Sequence, residues 1–176
     1  AADIMDKLFW EVSGGSEIKA AVADADEATK KFFEINYGPW DRLANNEPFI
    51  DGVGEKPAGA NFYPSDMSKE EFENADLADK KSLYTLLRRG VTGELMTIPF
   101  HEAFKEDVTK AADLLLQASE LAQNEAFKNY LKLRAEALLT DEYYESDLAW
   151  MDMVDNKMDI IIGPIENYED QLFGYK

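Results

Sequence analysis

Apolar residues recur at helical intervals through most of the chain. Ile4, Leu8 and Val12 stand at i, i+4 and i+8, and Gly14-Gly15 interrupts them. Ser16 then reads as the cap of a second helix reaching about Tyr37, with Ile18, Ala21, Val22, Ala25, Ala28, Phe32 and Ile35 along one face. Gly38 and Pro39 stop it. Further on, Ser68 and Glu71 form a capping box for a short helix to about Asn74. Leu83 to Arg88 and Glu94 to Ile98 flank Gly90 and Gly93, which suits an antiparallel hairpin, with helix as the competing reading for Lys80 to Arg89. From Phe100 the helical period is strong. Val108, Ala111, Ala112, Leu115, Ser119 and Ala122 make one stripe, and Phe127, Tyr130, Leu131 and Leu138 the next, with Arg134 at its edge. Thr140 or Asp141 opens a shorter helix through Ala149. Asp155-Asn156-Lys157 then turns the chain into a C-terminal strand. The fold class expected is α+β, mainly helical with a short β-hairpin and that terminal strand.

Residues 40–67 break the pattern. Pro48, Pro57 and Pro64 lie inside this stretch with Gly52, Gly54 and Gly59, and neither a helical nor an alternating period persists. An irregular connection of this length is uncommon in a compact domain and is usually a functional loop or a linker. Trp40, Phe49, Phe62 and Tyr63 argue for an ordered loop packed onto the body. No repeat of fixed period and no low-complexity segment interrupts residues 1–176, a length that suits a single domain with this loop inside it, or else two small ones.

Composition narrows the partners. The hydrophobic fraction of 45% is ample for a core. With 36 acidic and 18 basic residues the formal net charge is −18, which repels a nucleic-acid backbone and an anionic membrane surface. The absence of cysteine excludes disulfides, thiolate catalysis and cysteine-built zinc sites. No apolar stretch approaches the roughly 20 residues needed to span a bilayer, and Ala1-Ala2-Asp3 has no signal-peptide character. A cytoplasmic location is expected, or a periplasmic one where an upstream signal has been removed.

Few residues carry chemistry. His101-Glu102 begins like a zinc-peptidase helix motif, but Lys105 stands where the second histidine belongs, and Glu106 in a six-residue variant. His101 is the only histidine, so no zinc site is encoded in this way and a helix-start histidine without special duty is expected. The acidic clusters Asp24-Ala-Asp26-Glu27 and Asp141-Glu142 lack the alternating ligands and central glycine of a calcium loop and read as solvated helix faces. In Trp40-Asp41-Arg42 the arginine pairs with a carboxylate, as a local structural ion pair or a ligand contact; Phe62 and Tyr63 line a pocket or simply pack the loop. There is no phosphate-binding glycine loop, no serine nucleophile elbow and no basic-aromatic interleaving. The remaining candidates are Glu166 and Tyr168. In an extended chain, residues two apart share a face. A carboxylate and a phenol side by side next to an apolar run can bind an ammonium and donate to an oxygen, although an ordinary polar strand face would look the same.

Five segments resemble one family in order along the chain. They are Asn36-Tyr-Gly-Pro-Trp-Asp-Arg-Leu43, Gly59-Ala-Asn-Phe-Tyr-Pro-Ser-Asp-Met67, Ile98-Pro-Phe-His-Glu-Ala-Phe104, Asp147-Leu-Ala-Trp-Met-Asp-Met153 and Ile162-Gly-Pro-Ile-Glu-Asn-Tyr-Glu-Asp170. Together they are similar to the bacterial branch of the dipeptidyl peptidase III family, two-lobed zinc exopeptidases that release dipeptides from the N-termini of short peptides. The resemblance implies that residues 1–176 form the N-terminal lobe of such an enzyme. Zinc would be bound outside this chain, the remaining lobe would be its partner, and the chain alone would be inert. It also implies two roles: Glu166 holds the ammonium of the substrate's free amino terminus, and Tyr168 polarises the scissile carbonyl and stabilises the oxyanion. A charge-assisted hydrogen bond suits the first role, and donation to developing negative charge suits the second. Two rival readings stand beside this one: a non-enzymatic helical interaction module, and part of a chain known for a different, fused hydrolase domain.

Overall fold

The computed structural model describes residues 1–176, the side chain of Glu17 excepted. The chain divides into two compact units. The first comprises Ala1–Met5 and Ile98–Ile165, the second Asp6–Thr97 and Glu166–Lys176. The class is α+β and mainly helical, as expected from the pattern.

The first unit is built on helices. After the single turn α4 (Phe100–Ala103), α5 (Lys105–Leu121) and α6 (Glu125–Thr140) are joined by residues 122–124, and α7 (Tyr144–Met151) follows. The stripes read from the sequence are the buried ones, with Val108, Ala111, Ala112, Leu115 and Ser119 on α5 and Phe127, Tyr130, Leu131 and Leu138 on α6; Ala122 alone departs, being half-buried and extended just past the end of α5. Arg134, expected at the edge, is buried, with Asp147 and the Ile162 carbonyl as partners of its guanidinium. Asn124 caps α6 by accepting from the Phe127 amide at 2.9 Å.

The start of α7 corrects one expectation. Neither Thr140 nor Asp141 opens it: α6 runs through Thr140, and Asp141 ends it in the left-handed region at φ +61°. The Asp141 carboxylate turns instead to His101, accepting from its backbone N–H at 3.1 Å and lying 2.7 Å from its Nδ1. The lone histidine thus has a duty the sequence did not suggest, tying the first turn of this unit to the end of α6.

The C-terminal strand is absent. From Met153 onward the chain forms neither helix nor strand. The carbonyls that a strand would offer a neighbour are taken by side chains of α6: Tyr130 Oη donates to the Ile160 carbonyl at 2.8 Å and Arg134 Nη1 to that of Ile162 at 3.2 Å. Gly163 then turns at φ +130°, where a Cβ would stand 3.1 Å from the Tyr143 ring.

The second unit is less regular. It contains most of α1 (Ala2–Ser13), a 3-10 segment (Ser16–Val22), α2 (Glu27–Asn36), α3 (Lys69–Asn74) and two small sheets. Strands β1 (Trp40–Asp41) and β2 (Glu47–Pro48) pair antiparallel with Trp40 opposite Pro48. Strands β3 (Thr85–Arg89) and β4 (Leu95–Pro99) form the expected hairpin, closed by the Gly90 amide on the Glu94 carbonyl at 2.8 Å. The single helix expected over 16–37 is broken. Ser16 caps nothing. Asp26 accepts from the Thr29 amide at 2.9 Å and starts α2 afresh. The new cap resets the helical phase, so Phe33 and Asn36 are buried while Phe32 and Ile35 are exposed. The core gathers Phe33, Trp40, Phe62, Tyr63, Phe72, Leu86 and Leu87.

Candidate functional site

Glu166 and Tyr168 lie in the terminal segment of the second unit, and both are exposed; Tyr168 keeps 73% of its surface accessible. Ile165 to Tyr168 are all exposed, so these two side chains do not owe their exposure to an alternating strand face. No hydrogen bond, ion pair or ring contact engages either of them among the described residues. Among the described residues no hydrogen bond joins their side chains to each other.

What surrounds them is firmly tied. Asn167 Nδ2 donates to the Gly174 carbonyl at 2.9 Å. Glu169 is buried, with Oε1 2.5 Å from Arg42 Nη1 and Oε2 2.5 Å from Lys56 Nζ. Asp170 is buried as well. Its Oδ1 accepts from the amides of Leu172 and Phe173, and its Oδ2 from those of Tyr175 and Lys176 and from the Tyr63 hydroxyl at 2.6 Å. The Gln171 amide donates to the Ala58 carbonyl at 2.8 Å. Phe173 stacks on Phe72 with ring centroids 4.1 Å apart. An irregular tail is thereby held to the aromatic loop.

The loop supplies the fixed half. Arg42 is set by Asn36: its backbone amide donates to Asn36 Oδ1 and its Nε to the Asn36 carbonyl, both at 2.9 Å. Trp40 is buried and its indole N–H donates to the Gly54 carbonyl at 2.9 Å. Asn61 is tied to α1 through its amide on the Val12 carbonyl. Arg42 makes a structural ion pair, but with Glu169, 127 positions away, and not with a local acid. Tyr63 packs and hydrogen bonds inside the loop and also faces a hollow. This hollow, of about 490 Å³, is bordered by Ser13, Trp40, Gly54, Asn61, Tyr63 and Arg88 among others; Glu166 and Tyr168 do not border it.

Electrostatics follow from burial. Burial, then the hydrogen bond to Asp170, pushes the Tyr63 phenol far above its usual range. Burial pushes the Asp170 carboxyl up, but the hydrogen bonds from Tyr63 and the amides of Phe173, Tyr175 and Lys176 outweigh it and hold Asp170 below the ordinary carboxylate value. Burial lowers Lys56, against the opposing pull of Glu169. It lowers Lys176 to about 8, where the ammonium donates to the Ser82 carbonyl at 2.5 Å and to Thr85 Oγ1 at 2.8 Å.

Sequence reasoning missed Lys56, Glu169, Asp170 and Lys176. Arg42 and Lys56 are the only basic residues between 40 and 67. The loop also holds Asp41, Glu47, Asp51, Glu55 and Asp66, so nothing in the sequence marks an acid from outside it, or Glu169 rather than Glu166, as their partner.

No family model matches this chain. Over 99% of its length it superposes on the structure of DPP III from Caldithrix abyssi with a TM-score of 0.90 and 46% identity, covering 35% of that chain. Over 98% it superposes on dipeptidyl-peptidase III from Corallococcus sp. strain EGB with a TM-score of 0.86 and 34% identity, covering 34%. The curated protein Nudix hydrolase 3 of Arabidopsis thaliana is 32% identical across the whole of this chain, which covers 31% of that protein. The chain thus spans about a third of the length of each.

Proposed function

We propose, on the premise that the chain belongs to the dipeptidyl peptidase III family, that it is the N-terminal, substrate-binding part of a zinc-dependent dipeptidyl peptidase. Glu166 takes the ammonium of the peptide's amino terminus in a charge-assisted hydrogen bond, and Tyr168 donates its phenol proton to the carbonyl oxygen of the bond to be cut. Measuring two residues from a charged end requires such a fixed anion. The observation that carries the reading is an exposed, unengaged Tyr168 between two tethered neighbours, Asn167 and Glu169, in a chain that matches the two peptidases along nearly all its length.

The residues here do not fit a zinc site. His101 is engaged with Asp141, and among the described residues no group of three or more His, Cys, Asp or Glu gathers to hold a metal ion. The metal belongs, on this reading, to another part of the enzyme. The role of this chain is to bind and orient the peptide and to hold a proton at Tyr168 Oη. By itself it releases no dipeptides.

The test uses a protein of the full family length and a dipeptide-release assay. Tyr168→Phe is expected to lower kcat about a hundredfold, roughly 3 kcal/mol of barrier, with little change in substrate binding. Glu166→Gln is expected to penalise free-amine peptides and spare amine-blocked ones. Unchanged turnover in the first variant, or equal losses on both peptide types in the second, removes the residue from its role.

The plant relative favours a second reading, in which this stretch accompanies a different hydrolase activity in the same polypeptide. The net charge of −18 and the lack of a glycine-rich phosphate loop argue against a phosphate-binding role for these residues. Peptide release lost in Glu166→Gln, with the other hydrolysis intact, would separate the two activities.

A further inference from the structure

The tail of the second unit is anchored twice, and the two anchors differ in what they control. Asp170 gathers four backbone amides from its own downstream side, together with Tyr63, and so fixes residues 170–176. That network would suffice to hold the tail. Glu169 nevertheless commits a second buried carboxylate to two cations, one to each oxygen at 2.5 Å. Desolvating three charges is unfavourable unless the geometry is well defined. The cations come from opposite ends of one loop segment: Arg42 is set by Asn36, and Lys56 lies two residues beyond Gly54, whose carbonyl holds Trp40. Fixing both oxygens fixes the carboxylate plane and with it the direction in which the chain approaches from residue 168. On the far side, Asn167 is tied to the Gly174 carbonyl. Glu169 stands three positions on from Glu166, a reach of at most about 10 Å.

We propose that Arg42, Lys56 and Glu169 form a clamp whose task is to position Tyr168 and Glu166, making the three of them positioning residues for the peptide-binding edge. The proposal rests on the reading of Glu166 and Tyr168 given above. An exposed side chain on a loop loses precision unless its backbone is over-determined, and Tyr168 is bracketed on both sides by tethers. The Arg42–Glu169 bond uses a single donor, because Arg42 Nη2 is buried without an acceptor among the described residues. A lysine at 42 therefore keeps the essential contact.

The test uses the 176-residue chain, ¹⁵N relaxation of the amides of residues 166–168, and titration with tetra-alanine and N-acetyl-tetra-alanine. Lys56→Met and Arg42→Met are expected to drop the order parameters of Glu166 and Tyr168 from about 0.85 to below about 0.6, with Phe72 and Leu87 unchanged. Tetra-alanine binding should weaken at least about tenfold, and Arg42→Lys should restore both readouts. Where a single variant does not fold, the double variant Lys56→Met/Glu169→Gln removes one cation together with the carboxylate charge, leaving Arg42 in place, and is expected to loosen residues 166–168 in the same way. Undiminished order at 166–168 in folded variants overturns the clamp. Loosening with tetra-alanine binding unaltered leaves the clamp standing and removes the peptide reading instead. Loosening that Arg42→Lys does not reverse also overturns the clamp, since it reduces Arg42 to general packing.

Discussion

Each of the two units of this protein is stabilised internally by different physics. In the first, α5 and α6 bury continuous apolar faces, and each core residue has many equivalent neighbours. In the second, an irregular tail is held by a few directed bonds: Asp170 to Tyr63 of the long loop and to four amides of the tail itself, Glu169 to Arg42 and Lys56 of the loop, and Lys176 to Ser82 and Thr85. Apolar packing is redundant and tolerant of shape-conserving change. A buried polar network is neither, because removing one member strands the others. The candidate binding residues sit on the second kind of structure.

The most severe test of that contrast sets one polar side chain against one apolar one. Asp170→Ala leaves Tyr63 Oη and several amides without their acceptor and is expected to cost about 3–5 kcal/mol. Leu138→Met, on the fully buried face of α6, is expected to cost less than about 1.5 kcal/mol. Native-state hydrogen exchange reads each unit by its own amides, Leu87 for the second and Leu131 for the first. Equal losses in the two variants would erase the distinction.

The same contrast explains what could be read from sequence. The stripes of α5 and α6 were legible because periodicity reports burial wherever a helix runs uninterrupted, as Val108, Ala112, Leu115, Tyr130, Leu131 and Leu138 illustrate. Between 16 and 37 the same rule failed on phase. Periodicity carries no notice of a side chain that restarts a helix, and Asp26, read as part of a solvated acidic face, does so. The terminal isoleucines imitated a strand, since an apolar run of that length cannot distinguish pairing with a neighbour from capture by Tyr130 and Arg134. Glu166 and Tyr168 were found by resemblance and by their chemistry. The residues that tie their backbone went unseen, because the partners of Glu169 lie 127 and 113 positions away in the chain.

A smaller effect should appear on raising the pH, and it belongs to the second unit. The folded Lys176 loses its proton near 8, while an unfolded lysine holds it to about 10.4. Between those values the unfolded state binds more protons, so stability rises with pH; the lowered Lys56 acts in the same direction. Above about 10 the sign reverses, because Tyr63 and Tyr37 are held protonated in the folded protein beyond the range of a free phenol. Urea unfolding followed at pH 8, 9 and 10 should show a rising midpoint that Lys176→Met makes shallower, Lys56 supplying the remainder. A flat profile would mean the Lys176 ammonium is not the strained group its burial implies.

The smallest test asks where the contrast ends. Helix caps are local, so they should cost the same in either unit. Asn124 caps α6 in the first unit through the Phe127 amide at 2.9 Å, and Ser68 caps α3 in the second through the Glu71 amide at 3.0 Å. Each replaced by alanine is expected to cost about 1 kcal/mol, and Asn124→Gly only a few tenths. The two helices differ greatly in length, 16 residues against six. But α3 is closed at its other end by Lys80, whose ammonium donates to the carbonyls of Phe72, Glu73 and Ala75, and its Phe72 is fully buried. Tertiary bonds, not length, hold it, and its cap should matter no more than that of α6. A loss in Ser68→Ala several times that in Asn124→Ala would show that the short helix hangs on its first turn, and that the second unit is a chain of local dependences rather than a network.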